Sequence, residues 1–389
     1  PLHRNLRLMR TVFCLSVVAA LLFSGTPARA ILAGGNADWT EYPWIAGIVR
    51  TDLVSGPGLI GGGVLVGDQW VVTAAHSVSG LSASALEIWL GTANLDDTTG
   101  RIVCGVLSIS LHPGFATANG TSVNDIALLL LDRRATGLPV LPLVANNGDL
   151  APGDEVRVAG WGTSTAGVSA PTTVLQEAPA EILSQEAATN VFGSVIQACH
   201  LPAVDPAGIA TPCVGDSGSP LVKTISGENR LAGLVSFGTA DCSDASKPTI
   251  YTRIPFFAGW VNDWLALTAN SPVPSLTGRG RAVRENTIAR SGNATDFGTL
   301  NHPGADRTNT FRLANEGAGL LTVRSATVRG RGFSRPKAPA SILASDSATT
   351  LRVRFTHPRR RGHFTGKLIL QTNDLVNPLS IYRLAGRAR

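Results

Sequence analysis

A histidine, an aspartate and a serine lie in three short sequences whose residue types suit nucleophilic catalysis. His76 follows an apolar run in "VVTAAHS", Asp125 begins one in "NDIALLLL", and Ser217 lies in the glycine-flanked loop "CVGDSGSP". A serine hydroxyl is a poor nucleophile until an imidazole accepts its proton, and the imidazole needs a carboxylate that orients it. Each sequence alone is a weak signal. The set, in this order and 49 and 92 residues apart, predicts acyl transfer through a Ser-His-Asp triad.

The loop around the serine also predicts how the charge of a tetrahedral intermediate would be stabilised. In "GDSG" the backbone N–H groups of Gly215 and Ser217 are the candidate oxyanion donors, and Gly215 leaves room for the substrate carbonyl. Such preorganised donors matter, because the loss of one in related chemistry lowers turnover by ~10²–10³. This chemistry needs no metal or cofactor, and we expect none.

The elements that must position these residues are predicted to be strands. Residues 31–254 alternate short apolar or β-branched runs with Gly, Pro, Asn and Asp, which indicates an all-β barrel protein. Residues 255–268 break this rhythm, because Trp260 and Trp264 share one face at helical spacing after Pro255. The Trp pair could form a binding stripe, but a terminal helix that packs its aromatic face on the barrel is the better interpretation.

The C-terminal part of the chain differs in charge and returns to a period of two. Residues 269–275, "ANSPVPS", have the composition of a linker, and the strands predicted over 276–389 suggest a seven-strand sandwich. Residues 31–270 carry nine Lys and Arg against 21 Asp and Glu, a net charge of −12, whereas residues 271–389 carry 20 against 6, a net charge of +14. Two domains of opposite charge are therefore predicted.

The first thirty residues predict a signal peptide. Arg10 precedes the apolar run "TVFCLSVVAALLFSG", and an A-x-A cleavage site ends at Ala30. A membrane anchor is the weaker interpretation, because the run of about 15 residues is short of the ~20 that a spanning helix needs. Met9 could open a complete signal peptide by itself, which makes residues 1–8 a candidate mis-assigned start. We expect a secreted, soluble and monomeric protein without a transmembrane segment.

Residues 31–268 resemble the chymotrypsin/trypsin family of serine endopeptidases. The resemblance is carried by the three catalytic sequences, by "ILAGG" at residues 31–35 and by "GWG" at residues 160–162. It implies a double six-stranded β-barrel with a C-terminal helix and the hydrolysis of peptide bonds in protein substrates. It also implies that His76 is the general base, Asp125 its orienting partner, Ser217 the nucleophile, and Gly215 with Ser217 the oxyanion hole.

The resemblance further implies how the enzyme is switched on. In this family a new N-terminal amine pairs with the Asp before the nucleophile, so Ile31 and Asp216 form the expected activation ion pair. Cleavage after Ala30 by signal peptidase would free that amine without an activating protease. A trypsin-like cut after Arg29 is the alternative, but it would leave one extra residue before Ile31.

Substrate binding is also assigned by the resemblance. Ser236, Phe237 and Gly238 match the segment that pairs with the substrate backbone, where the family usually has Ser-Trp-Gly. Thr211 lies at the floor of the primary pocket and Thr249 on its wall. Because no carboxylate faces the substrate side chain, a buried Arg or Lys would be unpaired. We therefore expect cleavage after small or medium uncharged residues such as Ala, Val, Thr or Leu.

The cysteines and one loop complete the comparison with the family. Cys213 and Cys242 match the disulfide that brackets the specificity pocket. Cys104 and Cys199 could form a bridge, but they are expected in different barrels, so we favour free thiols. The family's calcium loop lacks a carboxylate at Thr92, so we expect no calcium there.

Residues 276–389 resemble bacterial immunoglobulin-like modules of the choice-of-anchor and ASPM/SPD-2/Hydin types. The phrases "TDFGTL", "NTFRLANEGAGLLTV" and "HFTGKLILQTND" carry this similarity, which implies a binding or attachment module. Its positive charge either attracts an anionic surface, such as polysaccharide, lipid head groups or nucleic acid, or reflects arginine-rich codon usage without a partner. An inactive protease-fold binding protein and a surface adhesin are the alternatives to an active endopeptidase.

Overall fold

The computed structural model describes residues 31–54, 58–164, 170–239, 242, 244–269, 271–337, 339–374 and 377–389. The predicted signal peptide, residues 1–30, lies outside this range. The described chain forms two closed β-barrels followed by two packed sheets, so the predicted all-β fold class is confirmed. Of the helices within the described ranges, none combines the length and the apolarity needed to cross a membrane.

The first barrel closes in the strand order β2-β3-β4-β9-β6-β5. Its apolar strands fold inward, and all five side chains of "ALLLL" in β9 are buried. The strands of this part of the chain are Gly35–Asn36 (β1), Ile45–Arg50 (β2), Gly58–Gly67 (β3), Trp70–Thr73 (β4), Leu86–Leu90 (β5), Ile102–Leu111 (β6), Ala116–Ala118 (β7), Thr121–Val123 (β8) and Ala127–Leu131 (β9). The edge strand β1 and the hairpin β7–β8 lie outside the barrel.

The second barrel has the order β11-β10-β13-β14-β15-β12 and closes through pairing of β11 with β12, while β1 extends it at β11. Its core consists of aliphatic side chains from alternate strand positions, together with the ring of Tyr251. Its strands are Glu155–Gly160 (β10), Gln176–Ile182 (β11), His200–Val204 (β12), Pro220–Ile225 (β13), Glu228–Phe237 (β14) and Thr249–Arg253 (β15).

Three α-helices accompany the barrels: Ala75–Val78 (α1), Gln185–Phe192 (α2) and Ile254–Ala269 (α3). Helix α3 is the predicted terminal helix, and its aromatic face packs on the first barrel. The Trp264 ring lies 5.7 Å from the Trp70 ring, centre to centre, and Phe257 is buried in the same core. The Trp residues of α3 therefore contribute to packing.

The C-terminal residues form two five-stranded sheets, in the orders β17-β16-β19-β23-β21 and β18-β25-β24-β20-β22, over one hydrophobic core. The sandwich has ten strands and not the seven predicted. Two of the three additional strands are explained by β17 and β22, which have only two residues each, too few for an alternating pattern to be recognised. The strands are Pro274–Gly278 (β16), Arg281–Ala282 (β17), Asp296–Leu300 (β18), Asp306–Asn315 (β19), Leu321–Arg329 (β20), Phe333–Lys337 (β21), Ile342–Leu343 (β22), Ala348–Thr356 (β23), Gly362–Thr372 (β24) and Leu379–Ala388 (β25).

The junction between the barrels and the sandwich is short. The segment 269–275 contains the last residue of α3 and the first two of β16. Between them Val273 is buried, and its N–H donates to Asn315 Oδ1 at 3.1 Å. Nearby, Arg284 of the sandwich pairs with Glu87 of the first barrel at 3.0 Å. The basic C-terminal region thus contacts the acidic barrels through at least one ion pair.

Candidate active site

The two barrels each contribute to one polar cluster at their junction. His76 lies in the single-turn helix α1 directly after β4, and Asp125 lies between β8 and β9, so both come from the first barrel. Ser217 lies in the loop between β12 and β13 of the second barrel. Residues far apart in sequence are thereby brought within hydrogen-bonding distance of one another.

The imidazole of His76 connects the other two side chains. Its Nδ1 lies 2.6 Å from Asp125 Oδ2, and its Nε2 lies 2.9 Å from Ser217 Oγ. The backbone N–H of His76 also donates to Asp125 Oδ1 at 2.9 Å. With Nδ1–H donated to the carboxylate, Nε2 is left as the acceptor of the serine proton.

Asp125 is buried and is held by two further hydroxyl groups. Ser236 Oγ donates to Asp125 Oδ2 at 2.6 Å, and Thr252 Oγ1 donates to the Asp125 carbonyl oxygen at 2.7 Å. The sequence predicts Ser236 beside the substrate but does not indicate its contact with Asp125. No local motif marks Thr252, so its contact is visible only in the structure. The Ser236 bond adds a donor to a carboxylate that burial would otherwise leave short of donors, and the Thr252 bond holds the backbone of Asp125.

Glycines shape the loop that carries Ser217. Gly215 and Gly218 have φ values of +96° and +80°, which side chains rarely adopt. A Cβ at Gly218 would also clash with Thr73 Oγ1. The Ser217 carbonyl oxygen accepts from the Gly62 N–H at 2.8 Å, which ties the loop to the first barrel. Among the hydrogen bonds of the described residues, none is donated by the backbone N–H of Gly215 or of Ser217.

The carboxylate of Asp216 is fully buried behind this loop. It accepts hydrogen bonds from the backbone N–H of Gly162 at 2.7 Å and of Cys213 at 3.0 Å. Burial raises its pKa to about 7, although these two amides act in the opposite direction. No Lys, Arg or His of the described ranges lies within ion-pair distance of it. The side chain of Ile31 is buried in the core of the same barrel.

The residues assigned to the primary pocket also come together. Thr211 Oγ1 lies 3.2 Å from Thr249 Oγ1, and both side chains are buried. Thr211 pairs with Leu32 through backbone hydrogen bonds of 3.0 and 3.2 Å, so the segment after Ile31 reaches this pocket. The aromatic ring of Phe237 packs against Phe192 at a ring-centre distance of 5.7 Å.

The four cysteines of the described ranges form one disulfide and leave two thiols. Cys213 and Cys242 are bonded, which confirms the predicted bridge. Cys104 and Cys199 are both buried and unpaired, so the preference for free thiols is confirmed. Burial raises the pKa of Cys104 to about 12, which keeps it as an unreactive thiol at neutral pH. Thr92, in the loop that resembles a calcium site, donates its hydroxyl to the Asn94 carbonyl at 2.6 Å.

Comparisons with known proteins agree with this geometry. The sequence model of the trypsin family matches residues 31–261, so the chain belongs to the trypsin family of serine endopeptidases. It is 32% identical to human kallikrein-7 over 263 residues, which cover 67% of this chain and 97% of that protein. It is also 32% identical to rat chymotrypsin-like elastase family member 1 over 259 residues, 63% of this chain and 93% of that protein.

A solved structure extends the comparison to the sandwich. The fold is similar to that of the VesB protease of Vibrio cholerae, with a TM-score of 0.52 and 22% identity. The similarity covers 92% of this chain and 99% of that one, so it includes residues beyond the matched trypsin domain. At this identity it concerns the fold alone.

Proposed function

We propose that the protein is a secreted serine endopeptidase that cleaves peptide bonds through the triad Ser217, His76 and Asp125 and an acyl-enzyme intermediate. The observation that carries this proposal is the single imidazole between a buried carboxylate and a hydroxyl, at 2.6 and 2.9 Å. Membership of the trypsin family supports the reaction class. The alternative of an inactive binding protein has no support from the site, whose three groups are all in hydrogen-bonding contact.

The geometry supports a definite order of proton transfers. His76 Nε2 accepts the proton of Ser217 Oγ as this oxygen bonds to the scissile carbonyl carbon. The carbonyl oxygen becomes an oxyanion that accepts from the N–H groups of Gly215 and Ser217. His76 then donates its proton to the leaving nitrogen, the C–N bond breaks and the acyl-enzyme remains. A water molecule then gives a proton to His76 as its oxygen bonds to the ester carbon. The bond between this carbon and Ser217 Oγ breaks, His76 returns the proton to Oγ, and the carboxylic acid product is released.

The pocket supports cleavage after small or medium uncharged residues. Thr211 at the floor of the pocket and Thr249 on its wall are uncharged, and their hydroxyl oxygens contact each other. A substrate Arg or Lys would be desolvated there without a carboxylate partner, which is unfavourable. The branched side chain of Thr249 narrows the pocket, which disfavours large aromatic side chains of the substrate.

Export and activation are proposed to be one event. Signal peptidase cleavage after Ala30 would free the amine of Ile31, whose side chain lies in the core of the second barrel. Asp216 is the proposed partner, because its buried carboxylate has two amide donors and no cation among the described residues. An ammonium there would satisfy the carboxylate and hold the loop of Gly215 and Ser217.

The sandwich is proposed to be an immunoglobulin-like binding or attachment module. Its two five-stranded sheets over a common core suit that assignment, and its net charge of +14 favours an anionic partner. In this proposal the sandwich localises the enzyme, and the barrels carry out the hydrolysis.

A serine-directed phosphonylating reagent tests the catalytic proposal. We expect one phosphonyl group per chain, attached to Ser217, together with complete loss of peptide hydrolysis. Ser219→Ala, a change two residues away in the same loop, is the matched control and should still be labelled. Folded protein that is neither labelled nor able to cleave a peptide library would support the binding-protein alternative.

A further inference from the structure

One solvent-facing side of the sandwich carries a row of cations. Arg329 on β20, Lys367 on β24 and Arg383 on β25 are direct cross-strand neighbours, with Lys367 opposite both of the others. All three are exposed. Residues directly opposite in a sheet share a face, so the three side chains emerge side by side. With a strand spacing of about 4.8 Å, the row spans about 10 Å of the sheet.

A concavity of about 600 Å³ lies along this row. Arg387, four residues beyond Arg383 and therefore on the same face of β25, adds a fourth cation to its lining. Thr365 provides a hydroxyl group, and Ile288, which is 78% exposed, provides an aliphatic surface. The site is thus a recess with several cations and not a flat charged surface.

The cations of the recess have no acidic partner at close range. No Asp or Glu of the described ranges lies within 4.0 Å of the four charged groups, unlike Arg354, which pairs with Asp306 in the other sheet. The one acid that lines the recess, Asp296, accepts a hydrogen bond from the Gly298 N–H at 2.8 Å. Like charges directly opposite each other destabilise a sheet, and a bound anion would relieve that repulsion.

We propose that this recess binds an anionic polysaccharide. Sulfate or carboxylate groups spaced along a sugar chain can meet successive cations of the row, while the sugar hydroxyls and carbon faces meet Thr365 and Ile288. No aromatic side chain lines the recess, so the bases of a single-stranded nucleic acid would lack a stacking platform. A recess also admits a chain more readily than the flat surface of a membrane.

The test uses the full-length protein with its active serine blocked by a phosphonylating reagent. The row variant is Arg329→Gln/Lys367→Gln/Arg383→Gln. The matched control, Arg359→Gln/Arg360→Gln/Arg361→Gln, removes the same charge from an exposed turn of the same domain. Calorimetry with a heparin hexasaccharide at about 50 mM salt should show at least about tenfold weaker binding for the row variant and a smaller salt dependence. The control should change the affinity by less than about threefold.

Several outcomes would overturn the proposal. Equal weakening in both variants would mean that only the net charge of the domain matters. Tighter binding of oligo-dT, or of vesicles with anionic lipids, than of the hexasaccharide would reject a polysaccharide as the ligand. Absence of hexasaccharide binding by the unchanged protein would reject the site. Thermal unfolding of each variant, with Lys367→Gln alone as the milder change, separates lost binding from lost folding.

Discussion

In the barrels the charged groups of the site are buried and held by hydrogen bonds, whereas in the sandwich the charged groups of the row are exposed and lie beside one another. The Asp125 carboxylate accepts from the imidazole and amide of His76 and from the Ser236 hydroxyl. Its backbone carbonyl accepts from the Thr252 hydroxyl. Lys367 lies between Arg329 and Arg383, and no Asp or Glu of the described ranges lies within 4.0 Å of its charged group. The first arrangement suits catalysis, which needs fixed geometry. The second suits association with an anion, which needs a field that a partner can neutralise.

The substitution with the largest expected effect is Ser217→Ala, in the catalytic region. Removing the nucleophile of a triad lowers turnover by about 10⁶, because the remaining groups then have no hydroxyl to activate. Hydrolysis of a peptide substrate measures the loss, and binding of the hexasaccharide should stay unchanged. Activity within about 100-fold of the original would contradict the assignment of Ser217.

The next largest effect is expected from Asp216→Asn. The neutral amide cannot pair with the amine of Ile31, so the loop that presents Gly215 and Ser217 is less well held. Loss of one oxyanion donor lowers turnover by about 10²–10³, and we expect a decrease of at least that size in kcat. Asp263→Asn, at an exposed position of helix α3, is the control that should leave kcat unchanged.

Substrate preference gives the third prediction. A peptide library should show cleavage after Ala, Val, Thr or Leu, with Arg and Lys disfavoured by about 10² because their charge would be buried unpaired. Thr211→Asp should raise cleavage after Arg, whereas Thr211→Asn, of similar size but neutral, should not. Dominant cleavage after Arg or Lys by the unchanged protein would show that the pocket has been misassigned.

The fourth prediction compares protein that begins at Ile31 with protein that retains residues upstream. When only two amides contact it, Asp216 has a pKa of about 7, against about 3.9 for an ordinary Asp. When a carboxyl group binds its proton more tightly in the folded state than in the unfolded state, the stability of the protein falls as the pH rises between these two pKa values. Protein that retains upstream residues should therefore become less stable from about pH 4 to about pH 7. In protein that begins at Ile31, the free amine of Ile31 should remove most of this loss of stability.

The same ion pair predicts a limit at alkaline pH. An N-terminal amine has an unperturbed pKa of about 7.7–8.0, and pairing with a carboxylate raises it in the folded state. Its contribution is complete below the unperturbed value and is lost as the pH climbs through the raised one. Thermal unfolding and peptide hydrolysis, measured across pH, should show a reversible alkaline loss of activity. Profiles that do not differ between the two forms would exclude the pair.

The smallest effect concerns the contact between the two regions. Glu87→Gln removes the ion pair with Arg284, whose side chains are 24% and 19% exposed. A partly exposed pair of this kind contributes about 1 kcal/mol or less, and salt weakens it. The melting temperature should fall slightly at low salt and converge with that of the parent protein at high salt. Glu155→Gln, an exposed change without a partner among the described ion pairs, is the control.

The sequence predicted more of the barrels than of the sandwich. The motifs around His76, Asp125 and Ser217 are local, and each lies near the end or start of a strand. The reaction class could therefore be predicted from the sequence without knowledge of the fold. The terminal helix was also predictable, since its period of 3.6 contrasts with the strands before it. Strands of two residues in the sandwich carry no such period and were missed.

By itself the sequence determined the fold class, the candidate catalytic side chains and the opposite charges of the two regions. Only the tertiary structure decided that Thr252 supports Asp125 and that Arg329, Lys367 and Arg383 form one row. The physical reason is that periodicity sets the face on which a side chain lies, whereas its neighbour depends on the register between strands that are distant in sequence.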